Sequence, residues 1–183
     1  IRLSLVGSEM CIRDSSTVDL SDADEGSVAW AGIGQYTDQV TALQFLRFMG
    51  VIAGGGEAAE PYLMQKISRA GQTVYEAKTE TTGQLLSAAT ATTLGGMMRS
   101  AVVNQYGAWQ FGALTVCAKS GTAERENGPA DAMFAGFVQD EAYPLAFVVF
   151  AEQGGSGSQI AAPIAAKVLT ACKTMLDTPN PNS

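Results

Sequence analysis

Apolar residues recur at helical spacing in three parts of the chain, which predicts three helices. The first helix follows Thr41 and stops at the glycines of positions 54–56, and Thr41 with Gln44 forms a capping box. The second covers residues 85 to 104 and the third residues 160 to 175, each approximately. The apolar positions of the first two helices are Leu43, Leu46, Phe48 and Val51, then Leu86, Ala89, Leu94, Met97, Met98 and Val102. We expect these positions to face the core.

Shorter apolar or alternating runs predict strands between these helices. Residues 61–67 and 73–78 flank Ala70-Gly71 and predict a small β-hairpin. Residues 114–124, 133–138 and 145–151 predict three antiparallel strands, and the last helix follows them directly. The order of elements therefore indicates an α+β fold in which the C-terminal helix packs across a sheet.

The two ends of the chain differ from its middle. Residues 1–15 are similar to the translated sequencing-adapter read-through found at the ends of metagenomic gene predictions, so we interpret them as non-native. An ordinary N-terminal strand, Leu3 to Val6, is the alternative. Residues 15–26 are small and acidic and predict a loop or frayed end, and residues 177–183 predict a tail. This leaves one domain, residues 16–176.

Composition narrows the range of functions. The chain has 183 residues, of which 46% are hydrophobic, and a net charge of -7. That size and apolar content suit one domain with a sizeable core, and the negative charge argues against binding to nucleic acid or an anionic membrane surface. No apolar run approaches the roughly 20 residues that span a bilayer, so we expect any signal or membrane anchor to lie outside this sequence. Without histidine, neither a Ser-His-Asp nor a Cys-His mechanism can be built from this chain.

One short stretch carries most of the chemistry. A β-prone run ends in Lys119, Ser120, Gly121 and Thr122 in immediate succession. The lysine offers a cation to a carboxylate, and the two hydroxyls can donate hydrogen bonds. Gly121 lets a ligand approach the backbone closely. The alternative interpretation of the Lys-Ser-Gly triplet is an ordinary solvated lysine before a turn. The glycines of residues 154–157 lack the lysine of a phosphate-binding loop and predict only a turn onto the last helix.

In its context, this stretch resembles the Lys-Thr/Ser-Gly element of penicillin-binding proteins and serine β-lactamases. Residues 119–124, Lys-Ser-Gly-Thr-Ala-Glu, are followed by Phe-Ala-Gly-Phe at residues 134–137, and then by Gly-Gly-Ser-Gly and Ala-Ala-Pro-Ile before and within the last helix. Upstream, residues 32–44 are similar to the Gly-Gln-Gly...Thr-Pro-Leu-Gln segment of the family, with Tyr36 in place of a glycine and Ala42 in place of the proline. The resemblance covers about Trp30 to Leu176.

The resemblance implies a class B-like penicillin-binding transpeptidase domain with the β-lactamase/transpeptidase-like fold. Its expected function is D,D-transpeptidation of peptidoglycan stem peptides through an acyl-serine, with β-lactams as inhibitors and with no metal or cofactor. Lys119 would face the ligand carboxylate, and Ser120 and Thr122 would hydrogen-bond the ligand. The N–H of Thr122 would supply half of an oxyanion hole, and Gly121 would let the acyl chain lie against the strand. The family acts outside the cytoplasm.

The family also requires Ser-x-x-Lys and Ser-x-Asn, and neither occurs in this sequence. Both normally precede the Gly-Gln segment, so we expect a truncated gene whose missing N-terminal half is the partner of this chain and carries the nucleophile. The fragment alone is expected to be inactive. A serine β-lactamase or β-lactam sensor, and a non-catalytic binding or scaffolding module of the same fold, remain alternatives.

Overall fold

The structure is a computed structural model that describes residues 16–125 and 127–178. It consists of helices packed around an antiparallel sheet, together with a separate hairpin. In chain order the elements are α1 (Glu25–Ala31), α2 (Ala42–Ala53), β1 (Lys66–Arg69), β2 (Gln72–Glu76), α3 (Ala88–Ala101), β3 (Val116–Ala123), β4 (Asp131–Val138), β5 (Ala146–Ala151) and α4 (Ala162–Asp177). A π-helical turn, Val102–Tyr106, extends α3, and another, Gly157–Ala161, precedes α4.

These elements confirm the predicted α+β fold. Strands β3, β4 and β5 form one antiparallel sheet in that order, and β1 pairs with β2 as the predicted hairpin. Helix α2 starts where the sequence indicates, because the Thr41 side chain accepts a hydrogen bond from the Gln44 N–H. The Gln44 side chain instead accepts from Arg47, so only half of the capping box forms.

Helices cover both faces of the sheet. On one face, Val116, Ala118 and Phe134 pack against the alanines and Leu169 of α4. On the other face, Cys117, Ala135 and Phe137 pack against Met49 and Ile52 of α2 and Met98 of α3. The period-2 alternation along β3 and β4 therefore divides the core into two layers.

Residues 16–24 form no regular element, as predicted, and only the last two residues of the expected loop lie in α1, which Asp24 caps. The structure corrects the predicted facing of individual helical residues. Phe48 was placed in the core, yet it is 43% exposed, because the buried side of α2 runs through Met49 and Ile52. Ala89 and Met97 were placed in the core as well. Ala89 is exposed and Met97 is 64% exposed, while Met98 is buried.

Other expectations concern parts of the chain that the structure does not describe. Residues 1–15, and most of the tail at 179–183, lie outside the described residues. Within the described residues, no helix combines the length and apolarity needed to cross a bilayer.

Candidate functional site

The four predicted site residues all lie on β3, which forms one edge of the sheet. Strand alternation separates their side chains. Ser120 and Thr122 share the face of Val116 and Ala118, on which α4 packs, whereas Lys119 and Gly121 share the face of Cys117. The four residues are consecutive in the sequence, and the pleat places the lysine and the hydroxyls on opposite faces of the edge strand.

The backbone of the even-numbered residues points away from the sheet at this edge. Ser120 donates its N–H to the Tyr106 hydroxyl at 3.2 Å, and its carbonyl accepts from Lys119 Nζ at 2.8 Å. Farther back, the Val116 carbonyl accepts from Arg99 at 3.1 Å. In an antiparallel strand, the N–H and C=O of one residue point to the same side, and the side alternates along the chain. The N–H of Thr122 therefore points outward as well.

Tyr106 is the main site residue that sequence reasoning missed. The π-helical turn after α3 carries it to the β3 edge, where its hydroxyl accepts from both the N–H and the Oγ of Ser120, the latter at 3.0 Å. Its ring is 8% exposed and meets Phe134 edge-on, with centroids 5.3 Å apart. Burial raises the pKa of Tyr106, but the Ser120 hydrogen bonds and the nearby Lys119 charge outweigh it, so the net pKa is lowered. Sequence reasoning missed Tyr106 because the apolar pattern of this segment does not reveal the extra residue of a π turn.

Thr122 is also held from outside the strand. Its Oγ1 accepts a hydrogen bond from the Gly157 N–H at 3.2 Å. A Cβ at position 157 would lie 2.2 Å from the Gly121 carbonyl oxygen and 2.4 Å from that of Met133. The glycine-rich segment was predicted to make a turn, and it does, but one of its glycines is needed because the turn presses against the sheet.

Gly121 has a different environment. A Cβ there would meet only the Met133 side chain, whose terminal methyl lies 2.7 Å away. The far end of a methionine moves easily, so packing within the sheet does not demand a glycine at this position. Packing within the described residues therefore gives no reason of its own for a glycine at position 121.

One ion pair and one backbone hydrogen bond meet at Asp131, at the turn end of the β3–β4 hairpin. Asp131 accepts from the Gln153 N–H and from Arg125 Nε, both at 2.7 Å. These two partners, the backbone donor first, lower the pKa of Asp131. The carboxylate thereby ties the hairpin to the loop that leads to Gly157.

The described residues also contain a cavity that lies away from this edge. A hollow of about 660 Å³ lies between the end of α2, the start of α3 and the β4–β5 turn, and none of the four predicted residues lines it. Within 16–125 and 127–178, no group of three or more metal-binding side chains is arranged to hold an ion.

Comparisons with known proteins match most of this chain to one family of domains. The family model for the penicillin binding protein transpeptidase domain matches residues 12–170. The peptidoglycan D,D-transpeptidase PbpA of Mycolicibacterium smegmatis is 28% identical over 172 residues, which are 87% of this chain and 34% of that protein. The chain thus spans about a third of the relative.

Solved structures agree with the fold. Penicillin-binding protein A from Mycobacterium tuberculosis, as its ceftriaxone acyl-enzyme, superposes with a TM-score of 0.78 at 26% identity, covering 87% of this chain and 38% of that one. The D,D-transpeptidase domain of a peptidoglycan glycosyltransferase from Eggerthella lenta gives a TM-score of 0.66 at 27% identity, covering 75% and 33%.

Proposed function

This chain belongs to the penicillin-binding protein transpeptidase family, and we propose that it supplies the substrate-binding wall of a serine D,D-transpeptidase. In this proposal the complete protein cross-links peptidoglycan stem peptides outside the cytoplasm and is acylated by β-lactams. The observation that carries the proposal is the edge of β3, where the Thr122 N–H points outward beside a Ser120 backbone whose N–H and C=O are held by Tyr106 and Lys119. A ligand that lies along this edge can accept from the Thr122 N–H, as an added strand would.

Each of the four residues has a role that fits its position. Lys119 is exposed and supplies a cation close to the edge, where a ligand carboxylate would bind. The hydroxyls of Ser120 and Thr122 donate to that ligand. The outward N–H of Thr122 provides one donor of an oxyanion hole, which stabilises the negative charge as the scissile carbonyl becomes tetrahedral. Gly121 keeps the strand surface open to the acyl group.

The nucleophile must come from elsewhere, because no serine in this sequence has a lysine three positions later. We propose that a preceding part of the same protein supplies it, as the one-third coverage of the relatives suggests. Large apolar side chains are exposed on the N-terminal half of the described residues, and we propose that this preceding part covers them. They include Trp30, Ile33, Leu63, Met64 and Val74.

Labelling with a fluorescent penicillin tests the proposal. The chain alone should give no label that survives denaturation, and the protein extended upstream from its own reading frame should be labelled. In the extended protein, Lys119→Ala should slow acylation roughly tenfold to a few hundredfold, because a hydrogen bond to a charged group contributes about 1.5 to 3 kcal/mol. Lys167→Ala, at an exposed position of α4, is the matched control and should acylate at the wild-type rate.

Three results would change the assignment. A label on a serine within these 183 residues would show that the active site is misplaced. An extended protein that is never labelled would favour the non-catalytic module. Rapid hydrolysis of the acyl-enzyme would identify a β-lactamase.

A further inference from the structure

We propose that Tyr106 is a positioning residue for Ser120, and that its hydroxyl frees the Ser120 hydroxyl to donate to the carboxylate of a bound ligand. The inference rests on the proposed function and extends it to a residue outside the Lys-Ser-Gly-Thr stretch. It begins from one contact: a single phenol oxygen meets both polar donors of Ser120, the backbone N–H at 3.2 Å and Oγ at 3.0 Å.

The location of Tyr106 makes this contact firm. Its ring is buried and packs edge-on against Phe134, the residue directly opposite Ser120 on β4. Gly107 follows with φ of 85°, and a Cβ there would lie 2.5 Å from the indole nitrogen of Trp109. The chain therefore turns sharply after Tyr106 and leaves its hydroxyl at the strand edge. The π turn that produces this placement is a type of irregularity often found at functional sites.

The donors and acceptors of the Tyr106 and Ser120 hydroxyls show how the contact acts when a ligand binds. A phenol has one hydrogen and two acceptor lone pairs. Without ligand, Tyr106 accepts from the Ser120 N–H and from the Ser120 hydroxyl, and its own hydrogen is not committed to Ser120. When a carboxylate arrives, the Ser120 hydroxyl can rotate toward it while Tyr106 turns its hydrogen to Ser120 Oγ. Ser120 then keeps a partner in both states, and the added donor strengthens its own donation.

Lys119 lies on the other side of Ser120, where its Nζ donates to the Ser120 carbonyl at 2.8 Å. Its charge contributes to the lowered pKa of Tyr106, after the two Ser120 hydrogen bonds. The phenol oxygen, the serine hydroxyl and the ammonium thus form one polar cluster around the edge, although the pleat sends Lys119 and Ser120 to opposite faces. A ligand carboxylate bound here would meet donors that Tyr106 holds in place.

Tyr106→Phe in the upstream-extended protein tests the inference, because it keeps the ring and removes only the hydroxyl. We measure the second-order acylation rate with benzylpenicillin and with its methyl ester, which has no carboxylate. The variant should react with benzylpenicillin about twofold to thirteenfold more slowly, the range expected from losing one hydrogen bond of about 0.5 to 1.5 kcal/mol, and should react with the ester at the wild-type rate. In a Ser120→Ala background, Tyr106→Phe should cause no further slowing.

Tyr143→Phe is the matched control, since it removes a hydroxyl that donates to Asp177 at 2.6 Å, away from β3. It should leave both rates unchanged. Equal slowing of both substrates by Tyr106→Phe, or full additivity with Ser120→Ala, would overturn the inference and indicate a purely structural role. If the Tyr106→Phe protein has no cooperative unfolding transition, p-aminophenylalanine at position 106 replaces it; because its amine still donates to Ser120 Oγ, both substrates should react at close to the wild-type rate, and slowing with either substrate would overturn the inference.

The outcomes also separate this inference from the function on which it rests. If Lys119→Ala slows acylation and Tyr106→Phe does not, only the proposed role of Tyr106 is refuted. If the extended wild-type protein is not acylated at all, the proposed function falls and the inference falls with it.

Discussion

Substitution of Gly157 by alanine should destabilise the fold at the point where the last helix meets the candidate site. Gly157 is buried, and its N–H donates to Thr122 Oγ1 at 3.2 Å. An added Cβ would lie 2.2 Å from the Gly121 carbonyl oxygen and 2.4 Å from the Met133 carbonyl oxygen. Both obstacles are backbone atoms of paired strands, so they cannot rotate away as a side chain could.

The expected cost follows from three effects. Overpacking of a tight site costs about 1 to 3 kcal/mol. If the loop retreats, the hydrogen bond to Thr122 is lost as well, at about 0.5 to 1.5 kcal/mol. Alanine restricts the unfolded chain more than glycine does, which returns about 0.4 to 1 kcal/mol. We therefore expect Gly157→Ala to lower the free energy of unfolding by about 0.5 to 4 kcal/mol.

Gly121→Ala is the matched substitution, because it adds the same methyl group to the neighbouring strand. There the obstacle is the terminal methyl of Met133 at 2.7 Å, which can move by rotation of its side chain. We expect a change within about 1 kcal/mol, since a shifted rotamer costs about 0.5 to 1.5 kcal/mol and the loss of glycine entropy offsets part of it.

Urea unfolding followed by far-ultraviolet circular dichroism measures both variants. The midpoint should fall for Gly157→Ala with an unchanged slope, which identifies a change in stability rather than in compactness. Gly157→Ala within about 0.5 kcal/mol of the wild type, the usual range for a site without steric conflict, would refute the reasoning. So would a larger loss for Gly121→Ala than for Gly157→Ala.

Two further predictions concern the hairpin end and the start of the chain. The lowered pKa of Asp131 means that its carboxylate stabilises the fold above its ordinary pKa, and that this contribution is lost as pH falls through the lowered value; Asp131→Asn should therefore flatten the acid side of a plot of melting temperature against pH. An unaltered acid side in that variant would exclude Asp131 as the cause. Deleting residues 1–15 should change the free energy of unfolding by less than about 0.5 kcal/mol, as expected for segments away from packed features, and a loss of several kcal/mol in urea unfolding would show that they are native.

Much of the architecture could be predicted because local signals and packing agree. Thr41 begins a helix in the sequence pattern and in the structure, and the three strands after residue 114 pair as their lengths and turns indicate. Which individual side chains of a helix face the core was harder to predict from the sequence. Phe48 and Met97 satisfy helical spacing as well as their neighbours Met49 and Met98 do, and only the position of the sheet decides which of each pair is buried.

Tyr36 shows how a departure from a pattern can have a structural counterpart. It stands where the similar family segment has glycine, and its φ of 68° lies in the left-handed region. That conformation carries a steric cost for tyrosine that glycine avoids. The sequence identified the departure, but only the backbone shows the conformation that tyrosine adopts there.

The candidate site was predictable as a set of residues and not as an arrangement. Lysine, hydroxyl and glycine in succession indicate a binding edge, yet the supports of that edge come from distant parts of the chain. Tyr106 lies 14 positions before Ser120, and Gly157 lies 35 positions after Thr122. Neither contact has a sequence pattern of its own, because one depends on a π turn and the other on a loop that presses against the sheet.

The burial of β3 explains why those supports matter. Helices pack against both faces of the first half of β3, and the residues there, Val116, Cys117 and Ala118, are 0% exposed. The rest of the strand is at least partly exposed. The candidate site therefore lies on the half of the strand that projects past the core. Tyr106 fixes Ser120 and Gly157 fixes Thr122 on the α4 side of that projecting half. A site must be held within about 0.5 Å of its productive geometry, so these two hydrogen-bonded contacts extend the rigidity of the core to the residues that would meet the ligand.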